Sequence, residues 1–146
     1  MAGTNRTLGG GGFHHVAVRV ADVEKSIRVY GEVMGFKEKV RWGEGEKTVV
    51  LLDTGDGNYV ELFAGGPTPP RANVSDIASE GPIIHLAFRT TDVDGCIARA
   101  RAAGLAVTKE PKEVTLESRP FALPVRLAFF RGLDGEMIEL FKNELT

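Results

Sequence analysis

A chain of 146 residues with 42% hydrophobic and 26% charged side chains can bury an ordinary core, as one compact unit or two small modules, and is not a disordered polymer. A formal net charge of -2 with no basic run argues against holding nucleic acid or an anionic membrane by charge, which leaves small molecules and protein partners. No run of about 18 apolar residues is present to cross a bilayer, and the single cysteine, Cys96, has no internal disulfide partner; both fit a reducing, cytoplasmic setting.

In chain order, "MAGTNRTLGGGG" (1–12) lacks the apolar stretch of a signal peptide and reads as a flexible tail. A first module spans 13–64 and opens with a strand over 14–20, "HHVAVRV". Alternation places His14 and His15 on opposite faces of that strand, so only one can face a given site. The stretch "HVAVRVAD" (15–22) returns as "HLAFRTTD" (85–92), and this repeat includes His15 and His85 but not His14, which reads as a strand-end or core-edge residue. On each strand His, Ala and Arg share one face, while Val16, Val18 and Val20, or Leu86, Phe88 and Thr90, form the other. A helix follows each time, with Asp22 or Asp92 as N-cap; Val23, Ile27, Tyr30 and Met34, or Val93, Ile97 and Ala100, lie at helical spacing. Gly35 and Gly104 end these runs.

Strands over 36–42, 46–53 and 58–64 complete the first half, and strands over 83–90, 105–109, 123–131 and 136–141 belong to the second module, 83–142, before a short end, 143–146. Residues 65–82 are a linker, with one helical turn near Ser75–Ser79. The closing strands also repeat, as "DGNYVELF" (56–63) and "DGEMIELF" (134–141). The copies stand 70 residues apart at the histidines and 78 at these strands, so the second half has gained eight residues. Those fall around 111–124, where Pro111, Pro120 and Pro124 disfavour a central strand and allow a lid or an outer connection.

A glutamate inside "VELF" and "IELF" needs an explanation. If Val60, Leu62, Ile138 and Leu140 face the core, Glu61 and Glu139 face the concave side with Tyr59, Phe63, Met137 and Phe141. A carboxylate among such neighbours must be paired or metal-bound. Two imidazoles and two carboxylates can hold a divalent ion, Zn, Ni, Co, Mn or Fe, with two positions open for adjacent oxygens of a substrate. The plainer alternative pairs the glutamates with arginines such as Arg126 or Arg131. Arg19 and Arg89, on the histidine faces, either bind an anionic substrate group or make peripheral salt bridges. Cys96 lacks a local basic partner and reads as buried structure.

Together, "HHVAVRVADVEKSIRVYGEVMGF", "HLAFRTTDVD" and the two "ELF" strands resemble the vicinal oxygen chelate superfamily over about 13–142. That superfamily includes glyoxalase I, methylmalonyl-CoA epimerase, extradiol dioxygenases and the fosfomycin and bleomycin resistance proteins. The resemblance implies an α+β fold of two tandem βαβββ modules, their curved mixed sheets enclosing a cleft. It places His15, Glu61, His85 and Glu139 at the metal-ligand positions, a set most similar to bacterial glyoxalase I, which completes its sites across a homodimer, whereas other members pair their modules within one chain. Arg19 matches a position that holds glutathione there, whereas Gly65 replaces an expected asparagine, which counts against glutathione specificity. The implied activity is a divalent-metal-dependent lyase or isomerase acting on a small substrate with adjacent oxygens. The resemblance permits either glutamate to act as base; Glu139 is favoured, with Glu61 chiefly a ligand, because the Glu139 half carries the longer segment 111–124, which could close over substrate and exclude water, and Arg19, Arg89, Tyr59, Phe63 and Met137 are candidate substrate contacts. Alternatives are a ring-cleaving dioxygenase and a non-catalytic antibiotic- or metabolite-binding resistance protein.

Overall fold

The computed structural model describes residues 5–67 and 83–146. The first half contains β1 (His15–Arg19), α1 (Val23–Met34), β2 (Lys37–Trp42), a 3-10 turn at Gly45–Lys47, β3 (Val49–Asp53) and β4 (Tyr59–Phe63). The second contains β5 (Leu86–Arg89), α2 (Val93–Ala102), β6 (Val107–Leu116), β7 (Leu123–Arg131) and β8 (Met137–Lys142). Each half is a βαβββ module with one four-stranded mixed sheet, ordered β1-β4-β3-β2 and β5-β8-β7-β6. In each, the first and last strands pair in parallel across the helical crossover, and the remaining pairs are antiparallel. Among the described residues no helix is long and apolar enough to cross a membrane. The helical turn expected near 75–79 lies outside the described residues.

Both expected N-caps form. Asp22 accepts from the Lys25 N–H and Asp92 from the Gly95 N–H, each at 2.9 Å. A side chain at Gly95 would run into the Asp92 carboxylate, so this glycine leaves room for its own cap. Gly35 ends α1 in the left-handed region, with φ 74°. The register then sets the faces. Val16 pairs with Val60 and Val18 with Leu62 toward the helices, while Ala17 pairs with Glu61 on the opposite side.

One apolar core spans both modules, drawing Tyr30, Val50 and Leu62 from the first and Ile97, Phe130 and Ile138 from the second. A second cluster, Val125, Leu127, Phe129 and Met137, lies on the other face of the second sheet. Polar bonds also cross the seam: the Tyr30 hydroxyl donates to Glu136 Oε1 at 2.7 Å, and the Ala21 N–H donates to Asp134 Oδ1 at 2.7 Å. Burial pushes the Glu136 carboxyl above its usual range and the Tyr30 phenol well above its own. Tyr30→Phe removes a donor from a buried carboxylate and is expected to cost about 1–3 kcal/mol. Denaturant unfolding checks this, and an unchanged midpoint would show that the bond is idle.

Much of the segment 111–124 is strand, and residues 117–122 form an exposed connection between its two arms. Its first part continues β6 to Leu116, and its end begins β7, giving a hairpin much longer than the β2–β3 pair. Pro111 is tolerated because β6 is an edge strand and its register shifts between Lys109 and Lys112, where no ladder N–H is required. The strand expected over 105–109 is therefore extended at its C-terminal end.

Candidate functional site

On the face of the first sheet away from the core, β1 places His15 beside Tyr59 of β4, two residues from Glu61. His15 Nε2 lies 3.4 Å from Glu61 Oε2. The duplicated arrangement follows in the second sheet, where His85, just ahead of β5, lies with Nε2 2.9 Å from Glu139 Oε2 on β8. The glutamates therefore face histidines rather than arginines. Arg126 instead holds Asp94, at 2.6 and 2.8 Å, and the buried Arg131 donates to the Gly135 carbonyl at 2.7 Å. Glu139 is only 7% exposed. Its burial raises the carboxyl above the ordinary range, against the lowering effect of His85 and Lys109.

The two pairs do not meet within one chain. Among the described residues no three His, Cys, Asp or Glu side chains gather into a metal-holding group. Each sheet instead offers half a donor set of one imidazole and one carboxylate. Neighbouring corners of an octahedron with metal–ligand bonds of about 2.1 Å stand about 3 Å apart. The 3.4 and 2.9 Å separations fit two ligands converging on one ion.

The expected substrate contacts have divergent surroundings. Arg19 donates to the Ala64 carbonyl at 3.1 Å and lies over the Phe63 ring, which gives both a packing duty. Arg89 is exposed at the end of β5. Tyr59 packs its ring 5.0 Å from that of His14. Met137 is buried and accepts a bond from the Thr108 hydroxyl at 3.6 Å. A cavity of about 330 Å³ between β1 and β5 is lined by Arg19, Ile84, His85, Glu136 and Met137, among others. A larger groove, about 480 Å³, lies by Arg126 and Lys142 and touches none of the four ligand candidates.

Two residues near the site went unread in the sequence. The Phe129 ring meets His85 edge-on at 5.6 Å, and Lys109 Nζ stands 4.9 Å from the centre of the same ring. Counting outward from the Asp134–Gly135 turn would have found Phe129, because it is the direct cross-strand partner of Glu139. Lys109 carries no comparable signal, since β6 slips its register at that residue. Cys96 is buried as expected, but Arg99 Nη2 lies 3.0 Å from its sulfur, one helical turn on, correcting the view that it lacks a basic neighbour.

The sequence pattern of the Glyoxalase/Bleomycin resistance protein/Dioxygenase superfamily matches residues 12–140. A Vibrio cholerae protein described as "Probable lactoylglutathione lyase" is 31% identical over 135 residues, covering 89% of each chain. The crystal structure of a glyoxylase/bleomycin resistance protein/dioxygenase domain from Frankia superposes with a TM-score of 0.69 at 28% identity, over 92% of this chain and 98% of that one. A Glu-to-Gln mutant of a fosfomycin resistance protein of Listeria monocytogenes, crystallised with Mn(II) and a dihydroxypropylphosphonic acid, shares the fold with a TM-score of 0.63 at 18% identity, over 92% and 91% of the two chains. Pattern, duplicated topology and relatives agree, and the chain belongs to the Glyoxalase/Bleomycin resistance protein/Dioxygenase superfamily.

Proposed function

We propose that the protein is a homodimeric, divalent-metal-dependent lyase or isomerase acting on a small substrate with adjacent oxygens. In this reading His15 and Glu61 of one copy face His85 and Glu139 of a second. The observation that carries it is the same His–Glu pair at equivalent places on two sheets, each half of a four-ligand set. Val40 and Trp42 add support. They flank Leu51 and Val49, and so Glu61, on the same sheet face, yet remain 49% and 47% exposed in the single chain. Such an apolar surface is suited to cover by a second copy.

His15, Glu61, His85 and Glu139 would hold the ion, which would supply Lewis-acid chemistry toward the substrate's adjacent oxygens. Glu139 supplies the base. Phe129 and Met137 keep water from that carboxylate and offer an apolar bed to the substrate's carbon frame. The likeness to the Vibrio protein described as a probable lactoylglutathione lyase makes formation of lactoylglutathione the first activity to assay.

Protein purified without added metal is expected to hold a divalent ion by elemental analysis, and His15→Ala combined with Glu139→Ala is expected to lose it. Wild-type metal content in that double variant would overturn the site. Tight retention of a small metabolite by metal-free protein, without turnover, would replace the enzyme reading with a binding one.

A further inference from the structure

His14 does not lie on the opposite strand face from His15, because β1 begins at His15 and alternation does not reach back to its neighbour. Three contacts hold it. The Tyr59 N–H donates to the His14 carbonyl at 2.9 Å, the Tyr59 ring packs 5.0 Å from its imidazole, and its Nδ1 lies 2.9 Å from His15 Nδ1. The two imidazoles meet edge-on, with ring centres 5.1 Å apart and planes at 86°.

We infer that His14 is a positioning residue for the proposed metal site: by accepting a hydrogen bond from His15 Nδ1–H, it keeps the His15 Nε2 lone pair free to face the ion. This rests on the metal reading above. Of two facing Nδ1 atoms one must donate, and a His15 that offers Nε2 to an ion carries its proton on Nδ1, which leaves His14 to accept. The repeat puts Ile84 where His14 stands, and Ile84 has no polar atom to offer. His85 Nδ1 is accordingly buried without a hydrogen-bond partner, alone among the described side-chain nitrogens and oxygens. There Nε2 closes on Glu139 to 2.9 Å, the spacing of an N–H donating to a carboxylate. Beside His14 the corresponding separation is 3.4 Å, longer than a charge-assisted hydrogen bond. The half-sites are therefore unequal. His15 holds its ligand tautomer before metal arrives, while His85 must move a proton from Nε2 to an Nδ1 that has no acceptor waiting.

The test uses the full chain with 15N-labelled histidine, together with Mn(II) titration. In metal-free wild type, 15N shifts are expected to show His15 protonated at Nδ1, and His14→Ala is expected to abolish that preference. Mn(II) affinity should fall about 10–100-fold in His14→Ala. It should recover largely in His14→Asn, whose amide oxygen can accept the same bond. A His15 protonated at Nε2 in metal-free wild type would overturn the inference. So would wild-type Mn(II) affinity in His14→Ala, or a loss that His14→Asn does not repair, which would make His14 a packing residue only. If wild type binds none of Mn(II), Zn(II), Ni(II) and Co(II), the metal reading fails, and the inference, which rests on it, fails too. The 15N arm then still reports the tautomer pairing, so the two failures are told apart.

Discussion

Glu139→Gln is expected to lower turnover of the metal-loaded enzyme by about 100- to 10,000-fold, the range for loss of a general base, while leaving the fold and much of the metal in place. Glutamine keeps the shape and an oxygen ligand but takes no proton. Glu61→Gln is expected to weaken metal binding more than it lowers the rate once metal is saturating. The asymmetry comes from surroundings. Glu139 sits against the buried cluster of Leu127, Phe129 and Met137, with the Phe129 ring directly across the strands, whereas Glu61 has the aliphatic Leu51 as its cross-strand partner. Turnover compared at matched metal occupancy decides the roles. Equal or greater damage from Glu61→Gln would reverse them, and unchanged turnover in both would end glutamate base catalysis.

Mixing two inactive variants is expected to restore activity. His15→Ala with Glu61→Ala strips the first half-site, and His85→Ala with Glu139→Ala strips the second. Either homodimer then has every cross-chain site incomplete. In a heterodimer of the two, one site combines both defects and the other is whole, so random exchange of subunits returns about a quarter of wild-type sites. Metal content and activity should rise together to that level after co-refolding. No recovery would mean that each chain completes its own site or that no such site exists, and metal content of the parent protein separates those cases.

Much of this arrangement was legible because the chain states it twice. The repeated His and the repeated "ELF" select His15, His85, Glu61 and Glu139 without any coordinates, and the period of two sets their faces. Alternation failed at His14 because it holds only inside a strand, and the strand starts one residue later. Pro111 misled in a similar way. Proline argues against a central strand, but β6 is an edge, where a missing N–H costs little. Phe129 and Lys109 needed cross-strand register, which the repeat does not encode. Whether the half-sites close within a chain or between chains is equally hidden from a duplicated sequence, since both closures bring together the same residue types.

The far edges of the two sheets bear on how such a protein stays dispersed. β2 presents Lys37, Glu38, Lys39 and Arg41, with a register slip between Glu38 and Val40; β6 presents Lys109, Glu110, Lys112 and Glu113, two slips and Pro111. Charges, bulges and a missing N–H each spoil the template that an intruding strand would need. The opposite edges, β1 and β5, have regular registers with their β4 and β8 neighbours. Strand addition is thus discouraged on one side of each sheet. A chain that exposes apolar sheet surface to a like copy can then form a closed pair instead of growing into open-ended fibres.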